Sequence, residues 1–107
     1  FIIKYNMATL SQLILGETGC VSYIVFCKKR RECAIVDSFE GFEEDIHEEL
    51  KRLEFPIVKY VIDTHTQADR KSAAGYFCCF FIRCYCLLLA GNSTYVLDFM
   101  VKKSSKK

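Results

Sequence analysis

The chain has 107 residues, enough for one domain with a modest core and not for two. Hydrophobic residues make up 51% of it and charged residues 26%, which excludes an intrinsically disordered chain. The formal charge of +2 excludes a strongly basic nucleic-acid-binding face. Its excess is gathered in a turn, Lys28-Lys29-Arg30-Arg31, and a tail, Lys102-Lys103-Ser104-Ser105-Lys106-Lys107, and both read as solvated charge.

Residues Phe1 to Leu15 lack the basic, apolar, small-residue progression of a secretory signal, and Met7 is a candidate start if the chain is not a fragment. Ala8 to Leu15 reads as a strand, followed by a turn at Gly16-Glu17-Thr18-Gly19. Val21 to Cys27 is a second β-rich run, Lys28 to Glu32 a charged hairpin loop, and Cys33 to Val36 a third strand ending at Asp37. Such closely spaced runs joined by short polar turns predict an antiparallel meander.

From Phe42 to Phe55 the period changes. Phe42, Ile46, Leu50 and Leu53 share one helical face, acidic residues crowd the first turns and Lys51-Arg52 the last, and Pro56 stops the helix. His47 falls off that apolar stripe and reads as solvated. Ile57 to Ile62 is then a buried strand, and Lys71 to Phe77 a candidate short helix despite Gly75.

Ala73 to Gly91 is apolar for nearly the length of a membrane span, with Arg83 in its middle, where a charge is costly. The other reading is a buried helix end, a core strand, a turn at Gly91-Asn92-Ser93 and a last strand over Thr94 to Val101. Seven cysteines (Cys20, Cys27, Cys33, Cys78, Cys79, Cys84 and Cys86) include no C-x-x-C pair, so a zinc ribbon or thioredoxin-type site has no support. Most lie among Val, Ile, Phe and Leu, where a reduced thiol packs as a small core residue, and an intracellular setting, cytoplasmic or mitochondrial, is expected.

The candidate site is Tyr60-Val61-Ile62-Asp63-Thr64-His65-Thr66-Gln67-Ala68-Asp69-Arg70, where an apolar strand ends in a polar cluster. Ligands of α/β proteins collect at the carboxyl ends of such strands. His65 offers an imidazole and Asp69 a hard oxygen, with Gln67 between them. The same residues also suit a loop whose Asp69 accepts the first N–H groups of a following helix, and spacing alone leaves both readings open.

The run Ile62-Asp63-Thr64-His65-Thr66-Gln67-Ala68-Asp69-Arg70-Lys71-Ser72-Ala73-Ala74-Gly75 resembles the T-H-x-H-x-D-H segment of the metallo-β-lactamase superfamily. Within it, the run is most similar to the branch of persulfide dioxygenases and glyoxalase-II-like hydrolases. The order of meander, strand ending in Asp37, acidic helix and motif strand matches too, over roughly Leu10 to Phe77. The resemblance implies an α/β fold, one half of an αβ/βα sandwich, with residues 1–77 family-like and 78–107 a divergent apolar segment and basic tail of the same truncated domain.

It also implies a metal, mononuclear iron or zinc, held by His65, Asp69 and Gln67, and a glutathione-linked sulfur or thioester substrate. Two departures limit this. Gln67 stands where the second His belongs and Arg70 where the last His belongs, and a guanidinium cannot ligate. No His follows His65, and Asp98 lacks the expected Gly-Asp context, so no full two-His, one-carboxylate set exists in this chain. The expectation is a chain inactive by itself, no catalytic residue assignable, with a homo-oligomer or a missing C-terminal half as partner. The alternative is a non-enzymatic membrane-associated or interaction protein carrying a relic motif, its basic tail on an anionic surface.

Overall fold

The computed structural model describes residues 8–17, 19–64, 71–81, 83–90 and 93–97. Six strands and two helices follow in the order β1 (Ala8–Leu15), β2 (Cys20–Cys27), β3 (Glu32–Val36), α1 (Glu43–Arg52), β4 (Ile57–Asp63), α2 (Ala74–Phe80), β5 (Tyr85–Ala90) and β6 (Ser93–Leu97). They form one sheet in which every strand lies beside its neighbour in sequence. β1, β2 and β3 are the antiparallel meander that the polar turns predict; β3, β4 and β5 are mutually parallel, each crossover carrying a helix; and β6 returns antiparallel.

The pleat sorts side chains onto two faces. Ile24, Ile35, Val61 and Cys86 are register partners across β2 to β5, and all are fully buried. Phe26, Cys33 and Val58 continue this inner face, and Ile46 and Leu50 of α1 and Ala74, Phe77 and Cys78 of α2 close it. One residue along each strand, Leu10, Val25, Ala34, Tyr60 and Tyr85 form the matching row on the outer face. There Leu10 is 61% and Tyr85 54% exposed, and the rings of Tyr60 and Tyr85 stack 5.9 Å apart. The inner face has its helical cover; the outer face is a sheet surface of apolar side chains open to solvent.

α1 is shorter than its apolar period because the chain must reverse before Pro56. Leu53 caps it, and Glu54 and Phe55 take left-handed conformations (φ 65° and 55°) with the Phe55 N–H donating to the Leu50 carbonyl at 2.8 Å. Arg31, expected to be simply solvated, instead reaches across from the β2–β3 turn. Its Nη2 donates to the carbonyls of Leu53 (3.0 Å) and Glu54 (2.9 Å), and its guanidinium lies over the Phe26 ring. α2 begins three residues later than Lys71, because Ser72 pairs with Phe39 as an isolated bridge before the helix starts.

The reading of His47 as solvated is also corrected. Its ring sits 4.6 Å from that of Phe80 and 5.5 Å from that of Phe77, and Nε2 is 2.9 Å from the Tyr76 hydroxyl, so it packs α1 against α2. The apolar stretch after Ala73 is divided between α2 and β5, and no helix among the described residues is long and apolar enough to cross a membrane. Of the last expected strand, Ser93–Leu97 is β6, and residues 98–101 lie outside the described residues, as do the turn residues 91–92 and the basic tail.

Candidate metal-site end of the sheet

Because β3, β4 and β5 run parallel, their carboxyl ends meet at one edge of the sheet. Asp37 leaves β3 there, Asp63 and Thr64 leave β4, and the chain re-enters the described structure at Lys71 and Ser72. Asp37 is the organising residue. Its carboxylate accepts the Thr64 backbone N–H at Oδ1 (2.8 Å) and the Thr64 hydroxyl at Oδ2 (2.7 Å). Its own N–H donates to the Ile62 carbonyl (2.8 Å), and its carbonyl accepts the hydroxyl of the buried Ser22 (2.6 Å).

To make these four bonds Asp37 adopts φ 58°, a left-handed conformation that a short polar side chain tolerates better than most. The strand tip preceding the motif is therefore pinned at both backbone and side chain. The other end is tied to the same loop: the Glu40 N–H donates to the Lys71 carbonyl (2.9 Å) and the Ala73 N–H to the Ser38 carbonyl (3.2 Å). Asp63 is buried beside this network, and the buried Ser38 hydroxyl has no hydrogen-bond partner among the described residues.

His65, Gln67 and Asp69, the candidate ligands, lie in 65–70, outside the described residues, as do Arg70 and Asp98. What the structure fixes is the frame: both ends of this six-residue segment are anchored to the 37–40 loop, at the carboxyl edge of three parallel strands. The importance of Asp37 is visible in sequence only as an acid ending a strand; its grip on Thr64, 27 residues away, is not.

A second cluster went unseen in the sequence. Cys78 of α2 and Cys86 of β5 are paired as a disulfide. The Cys84 sulfur lies 3.7 Å from that of Cys78, and all three are buried. The signal that could have found it is Cys84-x-Cys86, whose spacing of two puts both side chains on one face of an extended chain. Cys33, by contrast, is a buried free thiol whose pKa burial pushes up to about 12.

Neither a protein-family model nor a curated protein matches the sequence. Solved structures do match the fold. The crystal structure of ETHE1 from Myxococcus xanthus aligns with a TM-score of 0.66 at 18% identity, covering 79% of this chain and 36% of that one. A metallo-β-lactamase from Staphylococcus aureus subsp. aureus COL aligns at 0.65 and 20%, covering 82% and 25%. The B3 metallo-β-lactamase BLEG-1 aligns at 0.58 and 23%, covering 73% and 35%. The chain thus spans between a quarter and just over a third of these three structures, and it has the fold of one part of a metallo-β-lactamase-type domain, the α/β half that the motif's resemblance implies.

Proposed function

We propose, from a chain that carries one half of a metallo-β-lactamase fold, that it supplies the first metal-ligating segment of a metal-dependent site acting on glutathione-linked sulfur or thioester substrates. Alone it turns over little or nothing. The observation that carries this reading is the clamp of Asp37 on Thr64, which anchors the root of the His65 segment at the carboxyl edge of three parallel strands. Strand ends of this kind are where α/β proteins collect ligands.

The donor set fits one cation and not two. His65 offers an imidazole, Asp69 a carboxylate and Gln67 an amide oxygen, whereas Arg70 brings only N–H donors and positive charge to the place of a second ion. A bound iron or zinc would supply Lewis acidity or an activated water or oxygen. The chain's own contribution is orientation: Asp37 holds Thr64 and Ser22 holds Asp37, which fixes the strand tip from which the motif leaves.

The outer sheet face supports a partner. In an αβ/βα sandwich that face packs on a second sheet, and here Leu10, Val25, Tyr60 and Tyr85 stand open in one row. We assign it to the complementary half of such a domain, which would also complete the ligand set. Cys27, Cys33 and Cys79 are free thiols, which supports an intracellular setting, cytoplasmic or mitochondrial.

The test is metal analysis of anaerobically purified protein beside His65→Ala, with glutathione persulfide turnover measured on both. Iron or zinc lost on His65→Ala, with negligible turnover, supports the reading. Equal iron and zinc content in both proteins sinks the ligand assignment, and turnover by the isolated chain that disappears in His65→Ala sinks the claim of inactivity.

A further inference from the structure

We propose that Cys78, Cys84 and Cys86, once the Cys78–Cys86 disulfide is reduced, form a binding site for a soft monovalent cation, Cu(I), separate from the His65 segment. The three sulfurs all lie within 4.8 Å of one another. Three sulfurs sharing one metal at about 2.3 Å stand about 4 Å apart in a trigonal plane. The Cys84–Cys78 separation of 3.7 Å is already close to that.

The ligands come from ordered elements, Cys78 from the buried side of α2 and Cys84 and Cys86 from the entry to β5, so little chain has to be ordered for binding. Thiolates select soft metals, and the choice among these follows from ligand number. Structural Zn²⁺ takes four ligands. Among the described residues this group holds three, with no His, Asp or Glu joining them, a number that suits Cu(I) better.

The chemistry balances with a low-molecular-weight thiol as reductant. Two such thiols reduce the Cys78–Cys86 bond to two cysteine thiols and leave as their own disulfide, a two-electron exchange. Each cysteine that then ligates releases its proton to solvent. Oxidation and metal loading are mutually exclusive, since the disulfide takes two of the three donors.

The experiment is an anaerobic titration of the full chain, reduced and freed of reductant, against Cu(I) held by a colorimetric chelator such as bicinchoninate. Replacing Cys20, Cys27 and Cys79 by Ala removes the accessible thiols outside the cluster. One equivalent of Cu(I) withdrawn per chain is expected, with affinity falling roughly 10–100-fold or more in Cys84→Ala and in the near-isosteric Cys84→Ser, since loss of a direct ligand costs at least as much as loss of its support. Far-UV circular dichroism checks that both variants keep their sheet. Failure to withdraw Cu(I), equal uptake by a folded Cys84 variant, or equal uptake by the oxidised protein each overturns the proposal.

Discussion

The carboxylate of Asp37 holds Thr64 by both its backbone N–H and its hydroxyl, across 27 residues of sequence. This pair joins the ends of two parallel strands at the threshold of the motif. Asp37→Ala removes both acceptors and leaves a left-handed residue with no local compensation, so a loss of about 1–3 kcal/mol is expected in urea unfolding. Thr64→Val removes only the hydroxyl donor and should cost about 1 kcal/mol. Asp37→Asn keeps an acceptor for the N–H and should fall between. If Asp37→Ala unfolds at the same urea concentration as the parent, the clamp is not what orders this edge.

Arg31 closes the other end of the molecule. Two carbonyls at the end of α1 accept from one guanidinium nitrogen, where the helix leaves acceptors unpaired and its dipole favours positive charge. The side chain is exposed, so solvent screens part of the effect, and Arg31→Ala should cost about 1 kcal/mol. Arg31→Lys should recover little of it, because an ammonium lacks the planar fork and the stacking on Phe26. Equal thermal midpoints for the parent and the Ala variant would remove Arg31 from the account of stability.

The open sheet face should make the isolated chain associate with itself. Ile14 is 70% exposed on the same face as Leu10, and both lie on the edge strand β1. A lysine there blocks pairing of faces and of edges alike. Ile14→Lys with Leu10→Lys should weaken self-association by about tenfold or more, equivalent to about 1.4 kcal/mol, and reduce binding of an apolar dye. Sedimentation velocity across a concentration series reads the first effect. A parent chain that stays monomeric and binds no dye contradicts this use of the face.

Cys33 gives the fold an alkaline limit. Burial raises its folded-state pKa from 9.0 to about 12, so over that range the unfolded thiol ionises while the folded one keeps its proton. The unfolded state then binds fewer protons, and unfolding free energy falls as pH rises. The contribution is intact below about pH 9 and is lost progressively towards about pH 12. Urea unfolding at stepped alkaline pH should show this slope in the parent and a shallower one in Cys33→Ala. Parallel slopes would assign the alkaline loss to other groups.

Much of the architecture could be read from residues alone, because strand and helix periods are local. Leu13 and Leu15 share the inner face of their strand, and Ile46 recurs at Leu50, so the meander, α1 and β4 stand close to their expected limits. Contacts across long sequence separations were not legible. His47 lies off its own helix's stripe, yet a second helix carrying Tyr76, Phe77 and Phe80 covers it. Arg31 looks like one cation of four until the end of α1 is brought to it. The cysteine trio needs α2 folded back over β5 before three sulfurs meet. Thr64 marks the same limit at the candidate site: the motif shows which donors are available, but only the tertiary pairing with Asp37 shows what holds their root.

The sheet order has a consequence for how such a piece comes into being. Since each strand's spatial neighbour is also its neighbour along the chain, no pairing has to wait for a distant segment. The sheet can lengthen one strand at a time as polypeptide leaves the ribosome, with the loop-closure cost met in small instalments of sequence. A layer that can be laid down in this order does not depend on later-made chain for its strand partners, and that would let half of a sandwich exist as a molecule of its own.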